Sequence, residues 1–371
     1  MNIPFLKPDV VKLESYAQCL NQMDESRIYS NYGPLNQLFE QRIIHEVFQD
    51  IGHLTTVNNA TTGLMLAISE SKRPKGKYAL MPSFTFSATP LAAIWCGLEP
   101  YFVDINEENW CMDQEKVQAL IEELGEQIAV VIPYATFGTF MDLTYYNQLE
   151  ERGYPVVIDA AASFGCIDQN GVQFGSGFLG SVVYSFHATK SFGLGEGGFV
   201  YSQRRQLIER IRASANFGYH GSRESKTLGL NGKMSEFTSA IGLATLDEYE
   251  DKIQQRQNIR EWYAEEIVKE NMRLKGWDLQ KTRGRVPYQF MSMLCPADKT
   301  SDTFIDKLRE NGIQANNYFS PACHQQLKFS SYAHTNLDIT ESVCCRILSL
   351  PLWVGMNQGV VSRVISVLSG N

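Results

Sequence analysis

Between residues 55 and 202, short apolar and β-branched runs alternate with stretches whose apolar positions recur at helical spacing, and the alternation is regular enough to predict a fold. Strands are predicted at 78–81, 101–103, 128–133, 156–158, 182–186 and 199–201, and helices at 60–69, 88–95, 115–124, 143–152 and 206–215. This order implies an α/β domain on a mostly parallel sheet flanked by helices, whose ligands gather beyond the carboxyl ends of the strands. A helical pattern with few breakers follows at 235–269. The remainder mixes a strand-like run at 288–294 with helices at 302–310 and 358–368. We therefore expect a large domain over residues 1–245 and a smaller α+β domain over 246–371, bridged by the long helix.

Composition narrows the class. Hydrophobic residues make up 44% and charged residues 20% of the 371 positions, as in an ordinary globular enzyme. The net charge of −8 argues against nucleic acid or an anionic membrane as a general partner, since neither polyanion is attracted by such a field. The eight cysteines form no Cys-x-x-Cys pair and read as reduced, mostly buried thiols. No His, Cys or carboxylate grouping has metal-site spacing. The first residues lack the charged-then-apolar order of a signal peptide, and no apolar run reaches the ~20 residues of a membrane span, so a cytoplasmic place is expected.

The candidate chemistry centres on one lysine. In Ser185-Phe186-His187-Ala188-Thr189-Lys190-Ser191-Phe192-Gly193-Leu194-Gly195-Glu196-Gly197-Gly198, Lys190 follows a strand end and precedes a glycine-dense loop. A lysine so placed can be a Schiff-base nucleophile, or a surface residue before a turn. Asp159 closes the apolar run Val156-Val157-Ile158 and reads either as the cap of a helix beginning at Ala160 or as the partner of a basic ring nitrogen. The run Asn58-Asn59-Ala60-Thr61-Thr62-Gly63 opens a helix and suits either plain capping or a phosphate. Phe86 lies just after a strand and either stacks on a flat ring or fills a core turn. Gly193-Leu194-Gly195-Glu196-Gly197-Gly198 matches the dinucleotide string G-x-G-x-x-G, but Phe199-Val200-Tyr201 continues as a strand where that fingerprint needs a helix. The nicotinamide reading is rejected on that ground, and His187 is read as a supporting residue.

Taken together, these residues resemble the DegT/DnrJ/EryC1/StrS family of sugar aminotransferases, pyridoxal phosphate enzymes of fold type I. The resemblance spans nearly the whole chain: Gly33-Pro34 with Phe39-Glu40, Pro82-Ser83-Phe84-Thr85-Phe86, Phe102-Val103-Asp104, Asp159-Ala160-Ala161, the Lys190 segment, Leu230-Asn231-Gly232-Lys233-Met234-Ser235-Glu236 and Ser349-Leu350-Pro351-Leu352. It implies that Lys190 carries the Schiff base to pyridoxal 5′-phosphate, Asp159 pairs with the ring nitrogen and Phe86 covers a ring face. Ala60, Thr61 and Ser185 would contact the phosphate. Asn231 is similar to the family asparagine that reaches the phosphate of the neighbouring subunit's cofactor, which implies a homodimer with shared sites; alone, Asn231-Gly232 is also a turn signal. Tyr318 and His324 are candidate substrate contacts, with a surface loop the other reading of His324.

The implied reaction moves an amino group, with glutamate expected as donor, to the keto carbon of a nucleotide-linked keto-deoxysugar, in amino-sugar synthesis for a surface polysaccharide or a glycosylated metabolite. Amination of a cyclitol or another non-sugar ketone, and a non-catalytic ligand-binding regulator, are the alternatives. The chain departs from the family pattern twice. Ala162 stands where many relatives place a glutamine or histidine against the cofactor's phenolic oxygen, so either Ser163 or another group substitutes or the cofactor's electronics differ. Lys233 replaces an arginine, keeping the charge but losing the bidentate fork.

Overall fold

The seven strands of the large sheet are buried along almost their whole length, and their successive side chains divide between two hydrophobic cores. In this computed structural model, which describes residues 2–370, the strands are β1 (His53–Val57), β2 (Tyr78–Pro82), β3 (Glu99–Val103), β4 (Ile128–Val131), β5 (Val157–Asp159), β6 (Ser181–Ser185) and β7 (Gly198–Ser202). Leu80, Ile158, Val182 and Tyr184 enter one core, and their neighbours Ala79, Met81, Val157 and Val183 enter the other. A pleat sends successive side chains to opposite faces, so near-continuous apolar strands require cover on both. The helices Pro34–Arg42, Gln114–Leu124 and Thr144–Glu151 and the start of Glu236–Lys269 cover the first face. Ala60–Ser71, Ala88–Trp95 and Arg205–Ser214 cover the second.

Parallel ladders join β3-β2-β4 and β5-β6, and the parallel bridges Val131–Val156 and Tyr134–Asp159 connect the two groups. β7 runs antiparallel between β6 and β1. The order is therefore β3-β2-β4-β5-β6-β7-β1 with one reversed strand, the mostly parallel sheet expected. Reversal places the first residue of β7, Gly198, opposite Ser185 and Val57, the last residues of β6 and β1. Pro82, Asp159, Ser185 and Gly198 thus lie along one edge of the sheet.

The long helix begins at Ser235, whose hydroxyl accepts from Thr238 N at 3.1 Å, and runs from Glu236 to Lys269. Its second half, through Ile259, Tyr263 and Ile267, packs with the antiparallel pair β8 (Met291–Leu294) and β9 (Ile347–Leu350) and the helices Ser301–Glu310 and Gln358–Ser369. The run at 288–294 is a strand only from Met291; the chain bends before it and carries Gln289 toward the sheet edge. The helices Leu13–Ser26, Pro34–Arg42 and Asp338–Arg346, and β1 and β9, escaped the pattern. In Leu13–Ser26 the signal is faint because Met23 is its one buried residue.

One segment near the N-terminus and one from the C-terminal part cross the expected boundary at 245/246. Ile3 pairs with Ile313 inside the small core, and the segment from Cys323 to Leu337 packs on the large domain. Asp104 anchors that return: Thr340 donates to it through N at 2.8 Å and Oγ1 at 2.7 Å, and Lys116 Nζ lies 2.7 Å away. Among the described residues all eight cysteines are free, five of them buried, and no helix is long and apolar enough to cross a membrane.

Burial of Asp104 favours its neutral form, but the Lys116 and Thr340 hydrogen bonds outweigh it and hold the carboxyl below its ordinary value. Asp104→Ala should therefore lower stability by about 3 kcal/mol, read as a lower urea midpoint at pH 7. A depressed carboxyl contributes above the ordinary range near pH ~4 and stops contributing as pH falls through its lowered pKa, so the gap between variant and wild type should close in acid.

Candidate active site

A cavity of about 640 Å³ opens at the sheet edge where Asp159, Ser185 and Gly198 meet. Ala60, Thr61, Phe86, Asp159, Ser185, Lys190 and Tyr318, all expected from the sequence, line it together.

The helix Ala60–Ser71 points its N-terminus into the cavity. The Asn59 side chain accepts from Thr62 N at 2.9 Å and its carbonyl accepts from Gly63 N at 3.1 Å, which leaves the N–H groups of Ala60 and Thr61 without a protein partner among the described residues. Two free N–H groups at the positive end of a helix form an anion cradle. Gly198 lets it form. A Cβ there would sit 2.4 Å from Tyr184 O and 3.2 Å from Ala60 N, so a side chain would push the helix end off the sheet. Ser185 Oγ accepts from His187 N at 3.2 Å, which leaves its proton for a ligand.

Asp159 follows the last turn of apolar packing in β5 and caps no helix, since residues 160–165 form turns. Its Oδ2 accepts from Thr89 Oγ1 at 2.6 Å and its Oδ1 from Ala161 N at 3.1 Å. Thr85 Oγ1 lies 3.0 Å from Thr89 Oγ1 and extends the chain. Burial raises the Asp159 pKa, with both hydrogen bonds and the Lys190 charge opposing. A buried carboxylate with no ion-pair partner among the described residues matches a protonated ring nitrogen.

Lys190 sits in the turn after β6, its N donating to His187 O at 2.8 Å. The hairpin back to β7 needs Gly195, whose φ is +98°. Burial lowers the Lys190 pKa and the charge of Asp159 partly restores it. The amine does not touch Asp159; it donates to Gln289 Oε1 at 3.1 Å. Phe86 is 58% exposed, a wall of the cavity rather than a core residue, while its neighbour Phe84 is fully buried. Tyr134, Phe137, Phe290 and Phe319 continue this aromatic wall.

Three expected residues lie elsewhere. His324 is outside the lining: its Nδ1 is 2.7 Å from Ser83 Oγ and its Nε2 3.1 Å from Glu341, so both ring nitrogens are engaged in holding its loop to the sheet. Asn231 is exposed and away from its own chain's cavity, with Oδ1 accepting from Lys233 Nζ at 2.8 Å. That bond leaves the Asn231 amide hydrogens without a protein partner among the described residues. Lys233 also lies 4.6 Å from the Phe217 ring centroid. Ser163 is buried with its hydroxyl unpaired, and neither it nor Ala162 lines the cavity, so Ser163 is not the substitute expected for the missing glutamine or histidine. Thr89, Tyr134 and Gln289 were missed. They carry no motif, and only Thr89, at a helical spacing from Thr85, had a local signal.

The anion cradle, the buried carboxylate, the aromatic wall and the Lys190 amine fit the phosphate, ring nitrogen, ring face and aldehyde carbon of pyridoxal phosphate. The comparisons agree. A Bacillus cereus protein described as a PLP-dependent aminotransferase has a solved structure that superposes with a TM-score of 0.98 at 50% identity, covering all of both chains. The protein Rv3402c of Mycobacterium tuberculosis is 32% identical over 98% of this chain and 89% of its own. The dTDP-4-amino-4,6-dideoxy-D-glucose transaminase of Escherichia coli is 27% identical over 99% of this chain and 98% of its own. With the family model matching residues 12–369, the chain belongs to the DegT/DnrJ/EryC1/StrS aminotransferase family and is a pyridoxal phosphate-dependent transaminase.

Proposed function

We propose that this transaminase carries an amino group from an amino acid, glutamate, to the keto carbon of a nucleotide-linked keto-deoxysugar, as a cytoplasmic homodimer in amino-sugar synthesis. The observation that carries the reading is the pair lining one cavity, the half-buried Lys190 amine and the buried Asp159 carboxylate, neither neutralising the other directly. The E. coli relative, named for a dTDP-linked amino sugar, supports the acceptor class. So does a cavity lined by Phe86, Tyr134, Phe137, Phe290 and Phe319, whose rings offer flat faces to a sugar or base.

Ala60 N, Thr61 N and the Ser185 hydroxyl would hold the cofactor phosphate, Asp159 the ring nitrogen and Phe86 one face of the ring. Bound there, pyridoxal phosphate supplies an electron sink for the pair left when a proton departs from carbon. Lys190 performs the proton work. As a neutral amine it removes the proton from the donor's Cα, and in the second half of the cycle it delivers one to the former keto carbon of the sugar. Its lowered pKa keeps the neutral form accessible, while Asp159 stabilises a positive charge across the cavity. The exposed Asn231, its oxygen held by Lys233 and its amide hydrogens unused among the described residues, suits a contact with the second subunit's cradle.

Incubation with glutamate and a panel of nucleotide-linked 3-keto and 4-keto sugars should give one aminated product. Conversion of cyclitol or other non-sugar ketones alone would overturn the acceptor assignment, and cofactor binding without any turnover would overturn the catalytic one. Lys190→Ala should abolish the Schiff-base absorption band and lower the turnover rate by about 10²–10⁴-fold. In Asp159→Asn the charge that raises the Lys190 pKa is lost. The amine should then stay neutral to lower pH, so the pH midpoint for coupling pyridoxal phosphate to the cofactor-free protein should fall, while transamination drops by about 10²-fold. A midpoint that rises would contradict this electrostatic account.

A further inference from the structure

Gln289 reaches Lys190 from the far side of the sequence. The Lys190 amine donates to its Oε1 at 3.1 Å and makes no other hydrogen bond or ion pair among the described residues. The segment carrying Gln289 is tied down before and after it. Arg256 Nη1 donates to Tyr288 O at 2.8 Å and Gln257 Nε2 to Val286 O at 2.5 Å, both from the long helix. Arg285 and Ile167 exchange backbone bonds of 2.8 and 3.3 Å, and the Phe290 ring lies 5.0 Å from that of Phe137. The amide is therefore presented by a stiff backbone rather than by a loop free to follow the lysine.

Chemistry sets the orientation of that amide. A lysine ammonium has hydrogens to give and no acceptor, so Gln289 must turn its oxygen to it, leaving Nε2 with no protein partner among the described residues. The acceptor is also neutral. A carboxylate in its place would draw a proton onto the amine, whereas an amide oxygen accepts an N–H from the charged or the neutral form. With one N–H on Oε1, the lone pair of the neutral amine stays available for the reacting carbon.

We propose that Gln289 is a positioning residue for the proton transfer: its side-chain oxygen holds the Lys190 amine whenever the amine is free of the cofactor and directs its lone pair into the cavity, without adding a charge that would hold a proton on the amine. This rests on the assignment of Lys190 made above. The other titratable groups lining the cavity are Asp159, Tyr134, His187, Glu196 and Tyr318. Of these, only Asp159 contributes to the titration of Lys190. A carboxylate introduced at position 289 would therefore add to a single existing charge that already raises the Lys190 pKa.

The test compares wild type, Gln289→Leu and Gln289→Glu. The coupling of pyridoxal 5′-phosphate to the full-length, cofactor-free chain is followed by absorbance as a function of pH, with peptide mapping of the reduced adduct. Turnover rate and KM for glutamate are measured on the holoenzymes. Gln289→Glu should raise the coupling midpoint by about one pH unit or more, because the new carboxylate favours the charged amine. Gln289→Leu should lower the turnover rate by about tenfold to a hundredfold with KM nearly unchanged. Coupling at Lys190 with coincident midpoints in wild type and Gln289→Glu overturns this proposal alone, as does an unchanged turnover rate in Gln289→Leu. A wild-type chain that does not couple at Lys190 overturns the assignment of the site and this proposal with it. Should Gln289→Leu fail to fold, Gln289→Glu, nearly the same size and shape as the native residue, decides by its midpoint.

Discussion

A buried carboxylate and a half-buried amine line the same cavity without touching, and the architecture around the site keeps them apart. Left to themselves, opposite charges in a medium of low dielectric constant would close on each other. Here each is held by neutral partners: Thr89 and the Ala161 N–H on Asp159, the Gln289 oxygen on Lys190. The space between them is what a flat, charged ring needs. Both groups end at the same sheet edge because β5 and β6 are parallel neighbours, and parallel strands bring all their carboxyl ends to one side.

The remaining features serve that edge. Reversal of β7 returns the chain so that Gly198 meets Ser185, and the missing side chain lets the helix beginning at Ala60 settle with two N–H groups facing the cavity. The C-terminal part closes the other side. Its segment at 285–290 is fastened to the long helix and to Ile167, and its later segment is fastened to β3 through Asp104 and the Phe102–His334 bridge. The site is thus assembled across a junction stitched at several places, which suits a group that must hold its position while the amine changes partners.

His324 and Gln289 show where reading along the chain runs out. His324 stands in a suggestive stretch, yet its ring nitrogens are spent on Ser83 and Glu341, and it fastens a loop. Gln289 stands in a run that looked like strand, and its role arises from a bend that begins short of Met291. Ala162 and Ser163 make the same point: proximity in sequence to Asp159 does not bring Ser163 to the cavity, because the turn after β5 directs it into the core.

The order of strands and helices between residues 60 and 215, the buried character of the sheet, and the placement of Asp159 at a strand end and of Lys190 just beyond one are determined by local sequence. Side-chain period and chain breakers act over a few residues and do not depend on distant parts. The continuation of Gly197-Gly198 into a strand was enough to exclude a dinucleotide loop for the same reason. Tertiary structure alone decided which side chains face the two charges. Thr89, Tyr134 and Gln289 come from separate segments, and their positions depend on how helices and the small domain pack against the sheet. That packing is long-range, set by shape and burial across the whole chain, and no short window of sequence contains it.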